Sequence, residues 1–209
     1  VQHYKDAVDH EFFFHAVRTG ELVVPGKDAV FDKEIKNTAD FWSINLYTRE
    51  MVDARKADFS SKRYPFTETR MLPMHFYLDE FFPECMIHNL TRLMDKPVYI
   101  TENGCSCDND DFRIVYLTEY LCALSEAIKA GVDVRGYLYW SLLDNYEWWT
   151  FIPRFGLVSV DKENNFKRIP KPSAYFYKEI IENNGFKPEM LKKYLKEMPM
   201  VDASLPILL

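Results

Sequence analysis

A strand, a long helix and a second strand follow one another in the middle of the chain, and this order constrains the fold most. Residues 111–130 predict an amphipathic helix that stops before Gly131, because apolar residues recur at steps of three and four. The flanking stretches 97–101 and 136–143 are nearly continuous apolar runs, as in parallel strands covered on both faces. The sequence therefore predicts parallel β/α units. The apolar positions of the helix are Ile114, Leu117, Leu121, Leu124 and Ile128.

Shorter elements are predicted on either side of this centre. We expect a helix over 3–17, a short buried strand over 40–47, and a helix over 83–94. Further along, the sequence predicts a hairpin of GLVSVD against FKRIP, a helix over 172–184, and a basic helix at about 188–197. The charged segment at about 49–74 carries no clear periodicity, and we expect it to lie over a surface.

Three strands are too few for a complete parallel sheet, whether a closed (β/α)8 barrel or an open doubly wound sheet. A closed (β/α)8 barrel needs about 250 residues, and this chain has 209. We therefore expect one partial domain over 1–209, with a helical extension over 186–209, whose remaining strands lie elsewhere. The first residue is Val rather than Met, which indicates a processed chain or a piece of a longer one.

Composition excludes several classes of partner. The formal net charge of −6 leaves no basic excess to neutralise the phosphates of nucleic acids or of anionic membranes. No apolar run approaches the roughly 18 residues of a membrane span, and the charged start does not resemble a signal peptide. We expect a soluble, cytoplasmic protein that acts on a neutral small molecule.

The cysteines and histidines do not form a metal-binding pattern. Cys105 and Cys107 are one residue apart, Cys85 and Cys122 lie far from them in the sequence, and the five histidines are scattered. We expect free thiols, no metal and no cofactor. Because Cys105-Ser106-Cys107 closely follows Glu102, thiol reagents are predicted to affect any activity of that residue.

Polar and aromatic residues follow all three predicted strands. In parallel β/α folds the carboxyl ends of the strands converge on one cavity, and carboxylates beside aromatic rings suit a sugar. Each residue also has a plainer interpretation, as a core tryptophan, a strand-end hydrogen-bond pair, loop packing or a solvated acid. The residues concerned are Asn45, Tyr47, Glu102, Asn103, Trp140, Asp144, Glu147, Trp148 and Trp149.

Several motifs resemble a known family. YITENG, WSLLDNYEW and RFGLVSVD are similar to the C-terminal part of glycoside hydrolase family 1, the β-glucosidase family. DFWSINLYT resembles the family's Asp-Phe-x-x-x-Asn-x-Tyr-Thr strand, and KRIPKPSAYFYKEII its closing segment, with Phe176 where Trp is common. The resemblance covers most of residues 10–185 in order. It implies a (β/α)8 TIM barrel, of which these would be strands six to eight.

The resemblance also implies roles for residues in cleaving β-glycosides with retention of configuration. Glu102 falls on the catalytic nucleophile, which forms a glycosyl-enzyme intermediate. Tyr47 falls on the tyrosine that orients and tunes that carboxylate, and Asn45 lies beside it. Trp140 matches the platform under the sugar ring. Glu147 and Trp148 match the groups that bind sugar hydroxyls, and a carboxylate at Glu147 implies an unphosphorylated sugar, because it would repel phosphate.

One part of the family's pattern is absent. The chain contains no Asn-Glu-Pro, the motif that carries the family's general acid/base, and nothing in the placement of Asp144 or Glu84 favours either as a substitute. We expect a β-glucosidase-like chain that requires the N-terminal half of the barrel, in the same polypeptide or a partner chain. The alternatives are a non-catalytic remnant that binds sugar or another protein, and an unrelated small α/β domain.

Overall fold

The structure is a computed structural model that describes residues 6–49 and 80–199. The described residues belong to two compact units, one ending at Trp42 and the other comprising 43–49 and 80–199. The predicted segment at about 49–74, the first residues of the predicted 3–17 helix and the end of the 186–209 extension lie outside the described residues.

The first unit consists of a helix followed by a small hairpin. A π-helical turn, Ala7–Glu11, leads into helix α1, Phe12–Thr19, two residues beyond the predicted end. Gly20 ends the helix in the left-handed conformation, at a φ of 83°, with its N–H donating to the Ala16 carbonyl. Glycine fits because a Cβ there would lie 2.7 Å from the Asp32 carbonyl oxygen. The hairpin pairs β1, Glu21–Leu22, with β2, Val30–Phe31, and was not predicted.

The second unit contains the predicted β/α units. A three-stranded sheet has the order β3-β4-β5, with β4 and β5 parallel, and β6 pairs with β7 in the predicted hairpin. The elements are β3 (Trp42–Asn45, whose first residue belongs to the other unit), α2 (Cys85–Leu90), a 3₁₀ turn (Thr91–Leu93), β4 (Val98–Asn103), α3 (Asp110–Lys129), β5 (Val134–Tyr139), β6 (Val158–Asp161), β7 (Lys167–Pro170), α4 (Pro172–Asn183) and α5 (Pro188–Tyr194).

Strand β5 differs from its predicted bounds. β5 begins two residues before the predicted 136 and ends at Tyr139, so Trp140 follows the strand rather than lying within it. The reason is a change of partner: Ser141 donates its N–H to the Phe155 carbonyl and accepts from Leu157, so this stretch pairs with the segment before β6. The predicted position of Trp140 within the strand is therefore wrong.

Helix α3 is buried more broadly than a single apolar stripe. Ile114, Leu117 and Leu124 are buried as predicted, but Ile128 is 49% exposed, so the stripe does not extend to the end of the helix. In the first half, side chains on several sides are buried, including Arg113, Tyr116 and Tyr120. The helix contacts α2 and α4 as well as α5.

Asp110 joins the first turns of α3 and α4. Its carboxylate accepts hydrogen bonds from the backbone N–H and the hydroxyl of Ser173, both at 2.7 Å. It also forms an ion pair at 2.6 Å with Arg113, whose side chain is fully buried. A buried guanidinium needs a nearby negative charge, so this carboxylate holds two helices together and neutralises a charge in the core.

Asp110→Ala is therefore expected to lower the free energy of unfolding by about 3–5 kcal/mol, because it leaves Arg113 buried without its counter-ion. Urea denaturation of the purified chain measures the change. As a control, Glu126→Ala on the same helix should leave stability nearly unchanged, since its pair with Lys129 is solvent-exposed. Equal effects of the two substitutions would contradict this role for Asp110.

Candidate active site

An extra residue in β4 determines where Glu102 points. Ile100 and Asn103 pair with Tyr137 and Tyr139 of β5, so three steps along β4 oppose two along β5. This is a β-bulge, and it interrupts the usual alternation of side chains between the two faces of the sheet. Val98, Ile100 and Asn103 are all fully buried, at spacings of two and then three.

Because of the bulge, the consecutive residues Thr101 and Glu102 both contact the segment that contains β3. The Thr101 hydroxyl donates to Asn45 Oδ1 at 2.8 Å. The Tyr47 hydroxyl donates to Glu102 Oε2 at 2.9 Å. Asn45 and Tyr47 are two residues apart, so their side chains lie on the same side of an extended segment. Thr101 and Glu102 contact these two residues and must therefore both face that side. The predicted Tyr47–Glu102 contact is thus present in the structure.

Asn103 anchors the bulge from the buried face. Its side-chain amide donates to the Leu46 carbonyl at 2.7 Å and to the Tyr116 hydroxyl at 3.0 Å, while its Oδ1 accepts from the Tyr137 hydroxyl at 2.7 Å. Burial raises the pKa of both the Tyr116 and the Tyr137 hydroxyl well above the usual range of a tyrosine, so both remain neutral. One residue thereby fixes the end of β4 to α3, to β5 and to the segment that carries Tyr47.

Two stacked tyrosines of α3 hold the backbone of Tyr47. The rings of Tyr116 and Tyr120 lie 4.1 Å apart, and both hydroxyls donate to the Tyr47 carbonyl. Two residues later, Arg49 makes two hydrogen bonds to the buried carboxylate of Glu80, at 2.8 and 2.9 Å. The backbone on either side of the Tyr47 side chain is therefore fixed, which restricts where its hydroxyl can go.

Trp140 and Glu147 form a second pair. The Trp140 indole N–H donates to Glu147 Oε1 at 2.8 Å, and Glu147 is only 7% exposed. The Trp140 backbone N–H donates to the carbonyl of Asn103, the residue after Glu102, at 2.9 Å, which places the Trp140 backbone beside the end of β4. Trp140 is joined to Ser141 by a cis peptide bond.

The other candidates have different surroundings. Asn45 accepts a hydrogen bond from the Thr101 hydroxyl. Trp148 is 75% exposed and has a positive φ of 38°, an uncommon conformation for a bulky residue. Asp144 accepts a hydrogen bond from the Gly156 N–H and lies 3.5 Å from the Lys171 amine, so its carboxylate is engaged in the β6 region.

Gly104 directly follows the bulge, at a position where no side chain would fit. A Cβ at this position would lie 1.8 Å from the Trp140 carbonyl oxygen. Because Gly104 has no side chain, the backbone at the end of β4, which carries Glu102, lies close to the backbone of Trp140.

The described residues contain no group of three or more histidine, cysteine, aspartate or glutamate side chains that could hold a metal ion. Within the same residues, no helix is long and apolar enough to cross a membrane.

Comparison with known proteins identifies the family. The family described as glycosyl hydrolase family 1 matches residues 16–186, most of the chain. The chain belongs to glycosyl hydrolase family 1. A β-galactosidase of Saccharolobus solfataricus is 35% identical to it over 202 residues, which are 91% of this chain and 40% of that protein.

Solved structures of family 1 agree with this assignment. A β-glycosidase from Pyrococcus horikoshii has a TM-score of 0.73 at 32% identity, covering 93% of this chain and 46% of that one. A β-glucosidase from Thermotoga maritima in complex with castanospermine has the same score at 28% identity, covering 89% and 47%. Family 1 β-glycosidases are (β/α)8 barrels, in agreement with the expected fold class. The chain spans less than half the length of these relatives.

The sequence reasoning missed the roles of Asn103, Tyr116 and Tyr120. The sequence marks Asn103 only as a polar residue at a strand end, and both tyrosines lie among the buried residues of α3. A signal was present: tyrosines four residues apart on one helix share a face, and their hydroxyls require partners when that face is buried.

Asn103→Ala is expected to lower the free energy of unfolding by about 2 kcal/mol or more, because the Leu46 carbonyl and the buried hydroxyls lose their partner. Chemical denaturation measures the loss. Asn183→Ala, which removes a hydrogen bond at the exposed end of α4, serves as the control and should change stability little. If the two variants were equally stable, Asn103 would not anchor the bulge.

Proposed function

We propose that this chain is the C-terminal part of a retaining β-glycosidase that hydrolyses unphosphorylated β-glucosides or related β-glycosides. Its sheet β3-β4-β5 would form strands six to eight of the (β/α)8 barrel. The N-terminal half, in the same polypeptide or in a partner chain, would supply the remaining strands. Family membership supports the hydrolase class, and the Tyr47–Glu102 contact is the observation that carries the assignment of the nucleophile.

Glu102 would attack the anomeric carbon and form a glycosyl ester, which water then hydrolyses. Tyr47 would hold the carboxylate oxygen at 2.9 Å in one orientation, and the fixed backbone of Tyr47 supports this role. A nucleophile held in position reaches the transition state without a further loss of orientational freedom, which lowers the activation barrier.

Trp140 and Glu147 would bind the sugar. An indole offers an apolar face to the C–H groups of the ring, and Glu147 retains a second carboxylate oxygen for a sugar hydroxyl while Oε1 accepts from Trp140. Trp148, which is exposed, would add an indole N–H donor, and Asn45 would contact the sugar from the β3 side.

The general acid would come from outside this chain. A retaining mechanism needs a second carboxyl group about 5–5.5 Å from the nucleophile to protonate the leaving oxygen. Asp144 is a poor substitute, because Lys171 and the Gly156 N–H engage its carboxylate. We therefore propose that the chain alone does not turn over unactivated glycosides.

The test combines the chain with an N-terminal half that carries the Asn-Glu-Pro segment and measures hydrolysis of an aryl β-glucoside. Hydrolysis is expected only with both halves present. Glu102→Gln should abolish it, and Tyr47→Phe should slow it by about 10–100-fold, since a hydrogen bond to a charged group contributes about 1.5–3 kcal/mol. The controls Glu119→Gln and Tyr175→Phe alter exposed residues of the same types and should leave the rate unchanged.

Full activity with Glu102→Gln would contradict the proposal. Glucose binding without hydrolysis in every folded combination would instead favour the alternative, a non-catalytic sugar-binding remnant.

The same assay tests the preference for an unphosphorylated sugar. Glu147 is buried, and its charge would repel a phosphate strongly in a site of low dielectric constant. An aryl β-glucoside should therefore be hydrolysed faster than its 6-phosphate, and Glu147→Gln should narrow the difference. Equal rates for the two substrates would contradict this part of the proposal.

A further inference from the structure

Two thiols lie side by side in the loop between β4 and α3. Cys105 Sγ and Cys107 Sγ are 3.7 Å apart, and neither is bonded in a disulfide. Both residues are almost completely buried, at 1% and 2% exposure. The glycosidase chemistry proposed above uses neither of them.

Cys107 lines a cleft on the surface of the protein. The cleft has a volume of about 320 Å³. Its walls include Cys107, two cations and three carboxylates: Arg154, Lys171, Asp108, Asp144 and Asp161. A water molecule occupies roughly 30 Å³ in the liquid, so the volume is ample for a small peroxide. Cys105 is not part of the lining, so a reactant in the cleft meets Cys107 first.

The surroundings make the two thiols chemically different. The hydrogen bond with Cys105 and the positive charge of Arg113 lower the pKa of the Cys107 thiol, although burial opposes this. The Arg113 guanidinium is fully buried and donates to the Cys107 carbonyl at 2.8 Å. Burial and the contact with Cys107 raise the pKa of the Cys105 thiol. Cys107 is thus the thiol of the pair that loses its proton more readily.

The other two cysteines lack this arrangement. Burial raises the pKa of Cys85 to about 12, with a further contribution from the negative charge of Glu84. Cys122 is exposed, and the desolvation of its thiol and the charge of Glu119 raise its pKa. These two cysteines serve as internal references in the same chain, one buried and one exposed.

We propose that Cys105 and Cys107 form a redox-active dithiol that hydrogen peroxide converts into a disulfide. The Cys107 thiolate attacks one peroxide oxygen, the O–O bond breaks, and the departing hydroxide takes a proton and leaves as water. The resulting sulfenic acid is attacked by the Cys105 sulfur, its S–O bond breaks, and the hydroxide leaves as a second water with the Cys105 proton. Two thiols are oxidised, and one peroxide is reduced to two waters.

The test treats the folded chain with hydrogen peroxide and locates the oxidised residues by peptide mass spectrometry. The peptide that contains both cysteines should lose two hydrogen atoms at least about tenfold faster than Cys85 or Cys122 gains oxygen. A dithiol reductant should reverse the change. Because the experiment measures sulfur chemistry alone, its outcome does not depend on the proposed hydrolysis.

Two variants assign the order of reaction, and a third is the control. Cys105→Ser should accumulate a sulfenic acid on Cys107 that dimedone traps, whereas Cys107→Ser should react no faster than Cys85. Cys122→Ser, at an exposed single thiol, should leave disulfide formation unchanged. Circular dichroism checks that each variant is folded. If a variant does not fold, the measurement on the unaltered chain still tests the proposal.

Oxidation of the pair at the same rate as Cys85 in the unaltered chain would overturn the proposal. A sulfenic acid trapped on Cys105 rather than on Cys107 would overturn the assigned roles.

Discussion

The single extra residue between Ile100 and Asn103 is the constraint on which the candidate active site depends. In a regular strand Glu102 would share the buried face of Val98 and Ile100, and Thr101 and Asn103 would lie on the other face. The bulge instead allows Thr101 and Glu102 to contact the β3 segment together and leaves Asn103 on the buried face. The orientation of the carboxylate is thus a property of the backbone rather than of the glutamate alone.

The bulge is stabilised by buried polar contacts, not by apolar packing alone. Asn103 satisfies its amide with groups from three elements, and the hydroxyls of Tyr116 and Tyr120 fix the carbonyl of Tyr47. Such a network stabilises only when every member has a partner, so it also specifies one arrangement. The Tyr47 hydroxyl and the Glu102 carboxylate meet because both of their backbones are fixed by the same network.

Much of this fold followed from periodicity, whereas the geometry of the site did not. The stepped apolar residues of α3 and the apolar runs of β4 and β5 predicted the β/α units, because burial imposes those periods on a sequence. The end of β5 was predicted incorrectly, since an apolar run cannot reveal that Ser141 pairs with the β6 segment. The bulge was not predicted either, because one extra residue leaves no mark on a run of six.

The residues of the candidate site were likewise only partly predictable from the sequence. Motif resemblance identified Tyr47 and Glu102, which the structure brings into contact, and Trp140 and Glu147, which form a second pair. It did not indicate Asn103 as the anchor, because the partners of that residue lie 13, 34 and 57 residues away in the sequence. Contacts over such separations depend on tertiary structure and leave no local pattern.

The most direct test of the central claim is to capture the covalent intermediate. The two assembled halves would be treated with a 2-deoxy-2-fluoro-β-glucoside that carries a dinitrophenolate leaving group. That leaving group needs no general acid, and the fluorine slows hydrolysis of the ester. The account predicts that mass spectrometry finds the fluorinated sugar on Glu102. A sugar attached to another carboxylate, or hydrolysis without any labelling of Glu102, would contradict it.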